Sequence, residues 1–172
     1  MNTRKITLMG VLTAGAIIIA IIESFIPSIG IPGVKLGLAN IVILLTLYEL
    51  GVKDAIIVDS CRVLLVGILR GTLFSMGFLM SLSGAVFSLG IMILFYLVIK
   101  KFSIIGVSVI GSVFHVLGQI LVAMIFFGTI YVVYYLPIIM ISAIITGIFV
   151  GIVAKLIIRT GVIKKVRELH NI

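Results

Sequence analysis

The sequence predicts an all-α integral membrane protein: one domain, a bundle of six transmembrane helices with both termini on the cytoplasmic side. Three observations lead there. Of 172 residues, 63% are hydrophobic and 10% charged, and the mean hydropathy is +1.49. A water-soluble core does not need so much apolar surface, and an aqueous exterior would not tolerate it. The apolar residues fall into six stretches separated by turn chemistry, and a bilayer core takes roughly 20 apolar residues per helical crossing. Finally, the basic residues gather in alternate turns and at the ends.

The first stretch, Ile6–Ile26, follows Arg4 and Lys5. It is too long for the apolar core of a signal peptide and reads as a retained helix, ended by Pro27, Gly30, Pro32 and Gly33. Leu36–Leu50 and Ala55–Leu69 are shorter and more polar; they form either two tilted crossings or one re-entrant hairpin, with the same parity. Gly51 suits the position just after a helix C-cap, and Asp54 suits the N-cap of the third helix. Thr72–Ile99 is too long for a simple crossing, so its Gly- and Ser-rich start, Thr72–Ser83, is expected to form an outer loop or lid. Lys100 and Lys101 separate it from Ile104–Phe127. Gly128 ends that fifth stretch, Pro137 falls early in the sixth, Tyr131–Ile158, and residues 160–172 form a cytoplasmic basic tail.

Orientation follows from charge. With both termini inside, the cytoplasmic set is Arg4, Lys5, Lys53, Lys100, Lys101, Lys155, Arg159, Lys164, Lys165 and Arg167; the outer set is Lys35 and Arg70. Cytoplasmic loops of membrane proteins carry the excess of Lys and Arg. Tyr48 and Tyr96 then fall at the inner interface and Tyr131, Tyr134 and Tyr135 at the outer one, where amphipathic rings sit.

Several function classes are disfavoured. The net charge of +8 is explained by topology rather than by nucleic-acid binding. A single cysteine, Cys61, allows no internal disulfide, and two distant histidines, His115 and His170, suggest no metal site. The chain has no GxxxxGK[ST] loop, no Asp-rich magnesium motif, no Ser/His/Asp constellation and no HExxH, so no catalytic residues and no cofactor are expected.

What remains are polar residues at bilayer depth, where a charge costs roughly 2.5–3.5 kcal/mol on insertion scales. Asp59 and Arg62 lie three apart and share a helical face that Arg70 extends outward. They form either a locking ion pair or an anion site in which Asp59 orients Arg62. Arg suits that role because its planar fork holds carboxylate or phosphate with two hydrogen bonds. His115 and Gln119, four apart with Gly111 and Gly118 nearby, either bond between helices or wall a substrate cavity. The segment from Gly30 through Gly33, Lys35 and Gly37 to Asn40 is a Gly-rich loop running into a helix N-terminus: a plain turn or an anion seat, with Glu23 and Ser24 at a level to bond it. Together Gly33, Lys35, Gly37, Asn40, Asp59, Arg62, Arg70, His115 and Gln119 are expected around one outward-facing pocket for a small molecule with an anionic or strongly polar group. The small-residue stripes Ala16/Ala20 and Ala143/Gly147/Gly151 serve either packing inside the bundle or, for Ala16/Ala20, docking of a separate membrane subunit.

The run PGVKLGLANI at Pro32–Ile41, the Lys53-Asp54-Ala55 turn, Arg62, Ser81–Gly84, the segment from Gly106 through His115 to Gln119, and Thr146-Gly147 resemble the Gx transporter family, whose members are also labelled heptaprenyl diphosphate synthase component I. The likeness runs from Ile6 to about Arg159; it departs at Val116, where the family pattern usually has Asn after His. The resemblance implies a fold similar to the substrate-binding S-component of energy-coupling factor transporters. Such components pair with a scaffold membrane subunit and two ATPase subunits in the bacterial plasma membrane, and dock through an Ala-xxx-Ala face that Ala16 and Ala20 would match. The synthase label implies instead a non-catalytic membrane partner of a soluble prenyltransferase. A third expectation, read from the intramembrane carboxylate alone, is an ion-coupled carrier that titrates Asp59.

Overall fold

Hydrocarbon offers no partner to backbone N–H and C=O groups, and a helix closes them within one segment. The computed structural model, which describes residues 3–25, 35–99, 102–161, 163 and 165, follows that rule. Its helices are α1 (Thr3–Glu23), α2 (Asn40–Glu49), α3 (Val52–Leu69), α4 (Met76–Val98), α5 (Ile104–Phe127) and α6 (Leu136–Thr160). A 3-10 turn, Ile130–Tyr135, leads into α6, and there is no strand among the described residues. Among the described residues, four segments are long and apolar enough to cross a membrane: Lys5–Glu23, Met76–Val98, Ile104–Phe127 and the continuous Ile130–Thr160. The expected breaks at Pro27–Gly33 and Lys100–Lys101 and most of the basic tail, including Lys164, Arg167 and His170, lie outside the described residues, as does the side chain of Arg4.

The short second stretch is the architectural surprise. At ten residues, α2 rises about 15 Å, half of a hydrocarbon core of roughly 30 Å. It is nevertheless the centre of the bundle and touches all five other helices. Ile43, Leu44 and Leu47 are fully buried among Met9 of α1, Val58 of α3, Met92 of α4, Val107 of α5 and Ala154 of α6. Leu50 closes α2, and Gly51 at φ 101° turns the chain into α3, a conformation that side chains resist. Asp54 was expected as the N-cap of α3, but Gly51 takes that place. The carboxylate sits inside the first turn of α3, near the positive end of the helix dipole, and pairs with Lys5 of α1 at 2.8 Å.

Of the loop expected over Thr72–Ser83, only the first four residues are non-helical. The Ser75 hydroxyl accepts from the Phe78 N–H at 3.3 Å, and that cap starts α4 at Met76. Helices α4, α5 and α6 pack closely. A Cβ on Gly147 would stand 2.7 Å from the Val109 Cα, and one on Gly151 2.7 Å from the Ile105 Cα, so this stripe serves packing within the chain. The Ala16/Ala20 pair also turns inward. Ala16 is 0% exposed, and Ala20 packs on Ala39 and Val66. The arrangement uses the pair for internal contact and leaves it no free docking face. By contrast α3 and α4 meet sparsely, through the small cluster Val63, Phe78 and Ala85.

Gly147→Leu is expected to destabilise the bundle by about 1–3 kcal/mol, because the side chain meets backbone rather than a yielding side chain. Gly10→Ala, which meets nothing within 4 Å, should leave stability unchanged or slightly raised. Thermal unfolding of the two variants in detergent separates these outcomes.

Candidate functional site

Before α2 begins, Lys35–Ala39 run through the bundle as irregular backbone; the Gly37, Leu38 and Ala39 carbonyls accept from the first N–H groups of α2, while the donors of Lys35 and Gly37 turn elsewhere. His115 and Gln119 lie midway along α5, so this irregular backbone sits deep among the helices. Two distant side chains accept its donors. Gln119 Oε1 takes the Lys35 N–H at 3.0 Å, and the Glu23 carboxylate at the end of α1 takes the Gly37 N–H. Gly37 adopts φ 82°, and a Cβ there would stand 3.1 Å from Asn40 Nδ2 and 3.4 Å from the His115 ring. Only glycine lets the loop lie that close. Asn40, the first residue of α2, donates in turn to Ser88 Oγ of α4 at 3.2 Å.

These bonds fix a tautomer. A backbone N–H can only donate, so the Gln119 atom facing Lys35 is the oxygen. Its amide nitrogen therefore donates to His115 Nε2, 2.8 Å away. That nitrogen must be the bare one, and Nδ1 carries the proton. Nδ1 lies over Gly84, where a Cβ would come within 3.0 Å of it.

Between the loop, the C-terminal end of α3 and the N-terminal end of α4 lies a cavity of about 200 Å³. Its polar wall is Glu23, Lys35, Arg62, Arg70, Ser81 and His115; its apolar wall is Ala20, Val63, Val66 and Phe78. Arg62 is 7% exposed and donates through Nε, at 2.9 Å, and Nη2 to Asp59 Oδ1. A guanidinium has five N–H donors, so this pairing holds the head rigid and leaves donors over on the cavity side. Lys35 Nζ donates to Ser81 Oγ at 2.9 Å. Three cations face two carboxylates here, an imbalance that suits an anion.

The structure thus brings Lys35, Gly37, Arg62, Arg70 and His115 to one cavity wall. Gln119, Asn40 and Asp59 stand behind that wall: Gln119 holds the loop and His115, Asn40 holds Ser88, and Asp59 holds Arg62. Gly33 lies outside the described residues. Ser81 and Ser88 escaped the sequence reading as contacts. The spacing Gly77, Ser81, Gly84, Ser88 places small and polar residues on one face of α4, and that pattern marks the side turned toward the loop.

Residues 12–157 match the model of the family described as heptaprenyl diphosphate synthase component I. The chain belongs to that family. The match runs from α1 to α6 and takes in each of the elements that build the cavity. Searches among curated proteins and among solved structures each returned no match. In this member of the heptaprenyl diphosphate synthase component I family, Gln119→Leu should strand the Lys35 N–H and the His115 Nε2 together. The expected cost is about 1–3 kcal/mol in thermal unfolding, with faster amide hydrogen exchange at Lys35. Unaltered exchange there would show that the loop is held by other means.

Proposed function

We propose that this multi-pass membrane protein binds a small molecule through an anionic head group. In this reading it is the substrate-binding component of an energy-coupling-factor-type uptake transporter in a bacterial plasma membrane. The observation that carries the binding reading is the convergence of Lys35, Arg62 and Arg70 on one cavity inside a chain that is otherwise apolar. Of the three, Arg62 is buried, Lys35 half-buried and Arg70 exposed at the rim, and a buried cation in so apolar a chain is costly and calls for a role. The cavity is smaller than the roughly 300–1,000 Å³ of pockets that enclose drug-sized ligands, so it suits a head group, with Val63, Val66 and Phe78 ready for an oily remainder. In this scheme the α2–α3 hairpin with its loop stands for two of six passes, and both termini face the cytoplasm. A bound anion between Arg62 and Lys35 would screen the two cations and order the loop. That order would favour assembly with a scaffold subunit and two ATPase subunits, to the extent that the assembled state binds ligand more tightly.

The family description supports a second reading, a non-catalytic membrane partner of a soluble prenyltransferase. Both readings ask for the same chemistry at the cavity, an anion joined to an apolar body. Co-purification tells them apart: ATPases and a scaffold in the first case, a prenyltransferase in the second. The ion-coupled carrier is less favoured, because Asp59 is tied to Arg62 through both Nε and Nη2.

Native mass spectrometry of the protein purified in mild detergent is expected to find a retained anionic small molecule. Arg62→Ala should weaken its binding by about 1.5–3 kcal/mol, roughly ten- to hundredfold. Retention that is indifferent to Arg62 would remove the centre of the site. Lys35→Met should likewise weaken retention of the anion in the same measurement, since it removes a cation from the cavity wall.

A further inference from the structure

A second hollow lies along the same seam as the head cavity. It is a groove of about 280 Å³ between α3 and α4, lined by Ile56, Val63, Leu82, Val86, Gly90 and Ile93, with Asp59 in its wall. The two hollows stack end to end. The head cavity takes the C-terminal half of α3 and the start of α4, and the groove takes the N-terminal half of α3 and the middle of α4. Val63 lines both. The partition is the cluster Val63, Phe78 and Ala85: Phe78 faces the cavity and Ala85 the groove. The Arg62–Asp59 pair bridges the same boundary, with Arg62 on the cavity wall and Asp59 on the groove wall. Ile56, Leu82 and Val86 are exposed, so the groove opens sideways from the bundle, where hydrocarbon lies. From Leu82 to Ile93 it follows twelve residues of α4, eleven steps and about 16 Å of helical rise.

The geometry points to a ligand that occupies both hollows: a lipid-like amphiphile with its anionic head at Arg62 and Lys35 and its hydrocarbon tail in the α3–α4 groove. This inference rests on the anion-binding reading above and names the ligand's class. The sparse contact between α3 and α4 then has a purpose, because a tail needs a seam that opens toward the bilayer. Asp59 does not repel the tail, since Arg62 answers its charge. The tail lies along the helices, as acyl chains lie in the surrounding leaflet, and only the three-residue partition separates it from its head.

The test compares ethyl phosphate with decyl phosphate, binding to the purified protein in phosphatidylcholine nanodiscs, with empty nanodiscs correcting for partition. Wild type should prefer the decyl ester at least tenfold. Gly90 meets nothing within 4 Å, so Gly90→Phe can fill the groove without disturbing the helix. It should reduce that preference to less than threefold and leave ethyl phosphate affinity unchanged, while Gly90→Ala keeps the wild-type preference. A preference that is missing from wild type, or that survives Gly90→Phe, overturns the groove assignment and leaves the head site standing. Failure of both esters to bind, or indifference of both to Arg62→Ala, overturns the head site and this inference with it. Displacement of decyl phosphate by added phosphatidylglycerol would identify a resident lipid as the source of the amphiphile; resistance to displacement would identify a delivered single-tailed molecule.

Discussion

Irregular backbone deep in a bundle needs acceptors that its own segment cannot supply. Here that need falls on Lys35–Ala39, and Glu23 and Gln119 meet it from helices that are distant in sequence. The rest of the site follows from this anchoring. Gln119 sets the tautomer of His115, Gly37 brings the loop within contact of that ring, and Lys35 is held where its ammonium reaches Ser81. The loop is a structural element of the bundle as much as any helix, and the polar side chains at mid-depth support it before they meet any ligand.

Arg62 illustrates how one ion pair serves both rigidity and recognition. Removing either partner would strand a buried charge, which is strongly unfavourable. Yet Asp59 engages only one side of the guanidinium. The carboxylate compensates the charge and aims the head, and the remaining donors keep their capacity for a second anion. The pair therefore sits at the boundary of two hollows and belongs to both.

The parts of the fold governed by local chemistry were legible in the sequence. The limits of α5, Ile104–Phe127, agree residue for residue with the apolar stretch, and Gly128 ends it. The Asp59–Arg62 contact follows from a spacing of three on a helix. The start of α2 was not legible. Leu36 and Leu38 read as helix, but the side chains that hold Lys35 and Gly37 out of a helix lie 84 and 14 residues away. The inward turn of Ala16 and Ala20 was equally hidden, because spacing fixes a shared face and not what covers it. The extra length before α4 proved to be a four-residue turn and a capped helix, since Ser75 is a start signal within a Gly- and Ser-rich run. Polar residues in the site were recognised by their cost; the division between wall and support depended on tertiary partners.

The half-height of α2 has a consequence for how such a chamber comes into being. Among the described residues, the loop Lys35–Ala39 continues the line of α2 where a full-length rod would have carried on. The hollow arises by omission, where a central rod stops short, rather than by trimming side chains around a complete one. Its depth is then set in steps of one helical turn, about 5.4 Å. A change in where the inner rod begins would resize the compartment more than substitutions around its rim.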